Sequence, residues 1–339
     1  MTTSLSALIL AAGKGVRMKS DLPKVMHPVL GRPMVQYVVE AVRRVGADPV
    51  HAVIGFGREH LVTALTPLGV RFVEQTEQLG TGHAVQCFAR ACPQPPGRLL
   101  IVCGDTPLLS AATLQAMVDL HDREKPALTM MTLHMAEPGS YGRILRDGNG
   151  QVIAIREAKD CTDAQRAVKE VNLAVYLFEG KPLYDRLFTL SNQNRQQEYY
   201  LTDLVEKLAA DGLRVLTVTE RDETSTLGIN SRADLALVAG LLKDRLLREH
   251  MANGVSVLDP AQTWVEPDVV IGPETIVWPG SVLTGRTRIG PRCVIGPHAV
   301  LHDARLGTGV TAGCCRLDGV EVADGTAIPS HTTLTGPRP

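Results

Sequence analysis

The sequence predicts an α/β protein: strands and helices alternating on a mostly parallel sheet, then a connecting helix, then a stacked β-solenoid. Three observations carry this. From Leu5 to about Gly228, apolar runs such as LSALILA, DPVHAVIG, RLLIVCGD and LRVLTVT alternate with helix-like stretches such as MVQYVVEAVRRVG and AATLQAMVDLHDRE. That alternation implies crossover units on a sheet covered on both faces, a Rossmann-like layout whose ligands sit at the carboxyl ends of the strands. The stretch DLALVAGLLKDRLLREHM reads as a helix closed by Asn253 and Gly254 as a C-cap pair. After Gly254, one slot of a six-residue unit returns as Val265, Ile271, Val277, Leu283, Ile289, Ile295 and Leu301. The fifth position holds only compact residues, Val269, Thr275, Ser281, Thr287, Cys293 and Ala299, while Gly272, Gly290 and Gly296 recur in the second. Aliphatics facing an axis, with small residues at tight corners, are what a hexapeptide β-helix needs, because each rung buries its inner face only against the next. The phase slips near Leu306 and resumes at Val322, Ile328 and Leu334, giving about three coils. The expected domains are residues 1–230, 231–254 and 255–339.

Composition narrows the function classes. A chain of 339 residues is long for one core, and a net charge of −1 argues against a nucleic-acid or membrane-surface protein. No segment has the roughly eighteen apolar residues that a membrane span needs, and the N-terminal run is too short, and lacks the basic lead, for a signal peptide. Seven cysteines, odd in number and in no CxxC pair, fit a reduced, cytoplasmic chain rather than a disulfide framework.

The opening stretch LILAAGKGVRMKSDLPK is the first candidate site. A strand that empties into a glycine loop brings backbone amides close to a ligand, and Lys14, Arg17, Lys19 and Lys24 make that ligand anionic. It is not a dinucleotide fingerprint, since Met18 stands where a third glycine belongs, and Gly13-Lys14-Gly15 lacks the Ser/Thr that ends a P-loop.

The pattern L-x-A-G-x-G-x-R-M followed by P-K resembles the signature loop of the sugar-nucleotide pyrophosphorylases, which join a nucleoside triphosphate to a sugar 1-phosphate. EQLGTGHA, GDTPLL, YGRI, IREAKDCTDAQR, VNLAVY, EYYLTD and GINSR follow in order and resemble the uridylyltransferase half of bacterial bifunctional enzymes that make UDP-N-acetylglucosamine. The resemblance implies a left-handed β-helix after the nucleotidyltransferase domain. It implies nucleotide contacts from Leu10, Ala11, Ala12, Gly13, Lys14, Gly15, Gln75, Gly80, Thr81, Cys103 and Gly104, with Arg17 and Lys24 as the catalytic cations. Gly142, Glu157 and Asn172 would bind the sugar, and Asp105 with Asn230 would hold Mg²⁺. His83 would cap or pack. The chain departs from the family at Val16, at Cys103 and at Leu173-Ala174, where Thr or Ser, Tyr, and a small residue with glycine are usual.

The chemistry agrees with that set. A sugar phosphate oxygen is already ionised near neutrality, its second pKa being about 6, so no general base is needed. The demand is to bring two polyanions together and to stabilise charge on the departing pyrophosphate, by positioning and electrostatics. The expected partners are UTP and N-acetylglucosamine 1-phosphate, with a glucose-1-phosphate uridylyl- or thymidylyltransferase as the near alternative. A non-catalytic sugar-nucleotide-binding subunit is the distant one. A homo-oligomer is expected, a trimer through the β-helix. The residues that the resemblance assigns to acetyl transfer lie beyond the short solenoid, so no acetyltransferase activity is expected.

Overall fold

The computed structural model describes residues 4–336, in two compact units: residues 4–27 with 33–234, and residues 28–32 with 235–336.

The first unit is built on nine strands: β1 (Leu5–Leu10), β2 (Val50–Ile54), β3 (Arg71–Glu74), β4 (Arg98–Cys103), β5 (Leu128–His134), β6 (Arg143–Arg146), β7 (Val152–Arg156), β8 (Glu170–Glu179) and β9 (Val215–Glu220). Seven form the main path in the order β9-β5-β8-β4-β1-β2-β3, with β6 pairing β8 and β7. The strands β1, β2 and β4 are near-continuous apolar runs, buried almost throughout, as a sheet covered on both faces requires. The helix α1 (Met34–Arg44) turns Met34, Val35, Val38, Val39 and Val42 inward, one apolar stripe at helical spacing. Two further helices frame the carboxyl ends of the strands: α2 (Thr81–Ala91), and α3 (Ala111–Glu124), which is capped by the Ser110 side chain.

One strand departs from the parallel pattern. The β6–β7 hairpin reverses the chain, so β8 enters antiparallel between β4 and β5. Its register against β5 shifts between Asn172 and Tyr176, a bulge in which Ala174 takes a left-handed φ of 56°. The parallel pairs matter most for function: Leu10 stands beside Cys103 in β4 and beside Val53 in β2. Three strands therefore release their chains side by side at one sheet edge. The helix α4 (Arg232–Ala252) begins in this unit and continues in the second.

The second unit is a left-handed β-helix of three parallel sheets, holding five, five and four strands. That exceeds the three coils expected from the sequence. The apparent slip near Leu306 is a shortening of the coil: Val277 pairs with Ile295 eighteen residues on, Ile295 with Ala312 seventeen on, and Ala312 with Ile328 sixteen on. Corners lose a residue while pairing continues, so Leu306, Ala312 and Leu317 remain buried in the axial column. The compact fifth positions lie inside. Thr275, Ser281 and Thr287 are fully buried, and their hydroxyls donate to the carbonyls of Gly290, Trp278 and Thr284 at 2.9, 2.7 and 2.7 Å.

Gly272 and Gly290 are not the left-handed corners; those include Glu274, Arg292, His298, Asp303 and Cys314. A Cβ at Gly272 would lie 2.5 Å from the Pro291 nitrogen, and one at Gly290 would lie 2.6 Å from the Gly307 oxygen. These glycines let successive coils approach. Gly272→Ala is expected to cost about 1–3 kcal/mol by overpacking. Gly240→Ala, in α4 with open space around its Cβ, should gain up to about 1 kcal/mol. Thermal unfolding followed by circular dichroism distinguishes them; a raised melting temperature for Gly272→Ala would contradict the packing.

Candidate active site

The glycine loop leaves β1 at Leu10 and is drawn onto the stem of Lys24. Gly15 adopts φ 66°, and a Cβ there would lie 2.5 Å from the Lys24 Cβ, so only glycine allows that contact. Buried Met18 and Val25 anchor the two short turns that follow. The Lys24 ammonium then donates to the Asp105 carboxylate and, at 3.0 Å, to Asn230 Oδ1.

Each partner is held from behind. The Gly104 amide donates to the Leu10 carbonyl at 3.0 Å, setting the turn that presents Asp105 just past the end of β4. The Ile229 amide donates to the Asp105 carbonyl at 3.0 Å. Asn230 Nδ2 donates to the Gly228 carbonyl at 3.2 Å, which leaves Oδ1 for Lys24. Partial burial works to raise the Asp234 carboxyl, but the amides of Asn230 and Ser231 and the charge of Arg17 hold it below the usual range. Arg17 itself is exposed on the loop. Lys14 lies apart from the Lys24 cluster, its ammonium 5.1 Å from the centre of the Phe56 ring in a cation–π contact.

A cavity of about 260 Å³ opens where the strands end, lined among others by Leu10, Ala11, Ala12, Gly13, Lys24, Gln75, Gly80, Thr81, Cys103 and Asp105. Lys14, Gly15, Arg17, Gly104 and Asn230 stand around it rather than in its lining. Gln75 is buried; its amide nitrogen donates to the Gly80 carbonyl and lies 3.1 Å from His83 Nδ1, so this histidine orients the glutamine. Gln78, unmarked in the sequence except as a second amide three residues after Gln75, donates to the Ala12 carbonyl at 2.8 Å and ties the two loops together. Burial, with the Asp105 charge adding and Lys24 opposing, pushes the Cys103 thiol up to about 12, so it stays neutral.

Gly142, Glu157 and Asn172 form a second group. The Asn172 amide donates to the Gly142 carbonyl at 2.9 Å, and a Cβ on Gly142 would lie 3.6 Å from Glu157 Oε1. Within the β8 bulge, Asn172 Oδ1 accepts from the Ala174 amide at 3.2 Å and Nδ2 donates to the Tyr176 hydroxyl at 2.6 Å. Thr202 donates to Glu157 at 3.0 Å. None of the three lines the 260 Å³ cavity. Glu157 instead borders a polar cavity of about 360 Å³ with Asp160, Tyr200 and Asp203. Tyr176 and Thr202 fall within the VNLAVY and EYYLTD motifs, but the sequence assigned them no role, since that depends on which side chains the sheet and the loop after residue 197 bring beside them.

Two oxygens, one from a carboxylate and one from an amide, already share a single cation at Lys24 Nζ. Such a hard, sparse donor set suits Mg²⁺, which takes one or two protein ligands beside phosphate oxygens and water. No group of three or more His, Cys, Asp or Glu among the described residues is arranged for a metal ion.

The MobA-like NTP transferase domain family matches residues 7–253, and the bacterial transferase hexapeptide (six repeats) family matches residues 268–303. The bifunctional protein GlmU of Geobacillus sp. (strain WCH70) is 43% identical over 305 residues, covering 90% of this chain and 66% of that protein. That of Syntrophotalea carbinolica is 41% identical over 306 residues, 90% and 66%, and that of Pelobacter propionicus 43% over 315 residues, 93% and 66%. The chain thus spans about two thirds of the length of these curated relatives.

Burial raises the pKa of Glu157, with the Thr202 hydrogen bond opposing and neighbouring carboxylates adding. With its native value above the unfolded value of about 4.3, the folded state holds the proton longer. Stability is then lost as pH rises from the unfolded through the folded pKa. Glu157→Gln is therefore expected to melt higher than wild type at pH 8, the gain disappearing at pH 4. Melting curves at the two pH values check this, and a gain of equal size at both would exclude burial of the charge as its source.

Proposed function

The chain belongs to the MobA-like NTP transferase family, and on that premise we propose that it transfers a uridylyl group from UTP to N-acetylglucosamine 1-phosphate. The observation that carries the proposal is the joint of Lys24, Asp105 and Asn230 at the mouth of a cavity that also holds the glycine loop and Gln75.

In this reading an ionised oxygen of the sugar phosphate attacks the α-phosphorus of UTP, a new P–O bond forms, and the bond to the β-phosphate bridge breaks with its electrons leaving on pyrophosphate. The amides of residues 11–15 hold the triphosphate, Arg17 lies along the β- and γ-phosphates, and Lys24 neutralises the α-phosphate under attack. Asp105 and Asn230 would hold a Mg²⁺ ion, which would supply charge neutralisation at the phosphates. The Gln75 amide, pinned by Gly80 and His83, reads the uracil edge. The polar cavity at Glu157, with Asn172 and the Gly142 backbone, takes the sugar.

Two further readings belong with it. Outward-facing Ile276, Val282, Val294 and Val300 are half-buried, and Trp264 and Trp278 are exposed, which supports assembly through the solenoid, as a trimer. The seven cysteines are unpaired, and no helix among the described residues is long and apolar enough to cross a membrane, which supports a cytoplasmic location.

Pyrophosphate release over a grid of nucleoside triphosphates and sugar 1-phosphates with Mg²⁺ tests the substrates. UTP with N-acetylglucosamine 1-phosphate is expected to be the best pair; a preference of about tenfold or more for glucose 1-phosphate or dTTP, each 1.4 kcal/mol or more, would replace the assignment within the same reaction class. Lys24→Ala and Arg17→Ala should each lower turnover by roughly a hundredfold, about 3 kcal/mol. Near wild-type turnover in either would remove that residue from the chemistry.

A further inference from the structure

The Lys24 ammonium occupies the point on which Asp105 and Asn230 converge. It sits at 3.0 Å from Asn230 Oδ1 and closer still to Asp105 Oδ2, with both charged side chains largely withdrawn from water, at 16% and 18% exposure. Asp105 supplies one negative charge, and the ammonium neutralises it. A divalent ion added to the same two oxygens would meet that ammonium at contact distance. Gly15 lies against the Lys24 stem: a Cβ there would come within 2.5 Å of the Lys24 Cβ, 3.1 Å of Cγ and 3.2 Å of Cδ. The ammonium beyond is carried on a flexible stem and can change partners by rotation about its outer bonds.

We propose that Lys24 is the resident counter-cation of the Asp105/Asn230 pair: in the empty site it stands in for the divalent ion, and the pair becomes available to that ion only when nucleotide phosphate draws the ammonium away. This rests on reading Asp105 and Asn230 as the ion's ligands. The consequence is coupling between ion and nucleotide, each strengthening the binding of the other by the same factor. The ion site is incomplete in the free protein by construction.

The test uses the full chain without nucleotide and Mn²⁺ alone as the probe, a paramagnetic ion of similar ligand preference whose free concentration is read by electron paramagnetic resonance. Lys24→Met should hold Mn²⁺ at least tenfold more tightly than wild type, while Lys24→Arg, which keeps the charge, should stay as weak as wild type. Adding Asp105→Asn to Lys24→Met should abolish the gain. The Lys24→Met protein should also melt below wild type and recover with Mn²⁺, a response that wild type lacks; Lys24→Gln replaces it if its melt is not cooperative. Equal affinity in wild type and the neutral variants overturns the proposal, while a loss on adding Asp105→Asn would still uphold Asp105 as a ligand. A gain that survives Asp105→Asn places the ion elsewhere and overturns both.

Discussion

One ammonium group joins three distant parts of the chain. Lys24 bridges to Asp105, 81 residues away, and to Asn230, 206 residues away. The rest of the candidate site is arranged so that these three can meet. Parallel pairing of β1 with β4 places Leu10 beside Cys103, so the glycine loop and Asp105 emerge together. The Ile229–Asp105 backbone bond then brings the segment carrying Asn230 across the same edge. Removing one member of such a partly buried set leaves another charge or dipole unpaired, which is why the joint constrains its surroundings more than its own net energy suggests.

The surrounding groups keep the charge balance of that joint simple. Cys103 beside it is held as a neutral thiol, and the Gln75 amide nitrogen lies 3.1 Å from His83 Nδ1. What remains at the mouth of the cavity is a small set of fixed charges and aligned amides, the arrangement suited to a reaction between two anions. Glu157 borders a second, polar recess that shares no lining residue with the first cavity.

The two units solve burial differently. The sheet of the first covers itself with helices on both faces, so its strands read as unbroken apolar runs and its edge is left for loops. The solenoid covers each coil only with the next, so it depends on side-chain size at corners. Gly272 and Gly290 are small because a neighbouring backbone passes within van der Waals reach, while buried Thr275 donates its hydroxyl to the Gly290 carbonyl of the next coil and Thr287 to the Thr284 carbonyl of its own turn.

The alternation of apolar runs with helical stretches determined the sheet, and the recurrence from Val265 to Leu301 determined the solenoid, since both are periodicities that neighbouring residues carry themselves. The glycine loop was legible for the same reason: Gly13, Gly15, Arg17 and Lys24 lie within a dozen residues. The number of coils was not, because dropping one residue at a corner hides Leu306, Ala312 and Leu317 from a six-residue count while the pairing continues. Nor was the antiparallel entry of β8, whose bulge puts Ala174 in a left-handed conformation and turns its amide onto Asn172. The partners of Lys24, Gln75 and Glu157 were decided by tertiary structure alone. A hydrogen bond depends on where strand pairing and crossover direction set two side chains in space, and residues 81 or 206 positions apart carry no local trace of that meeting.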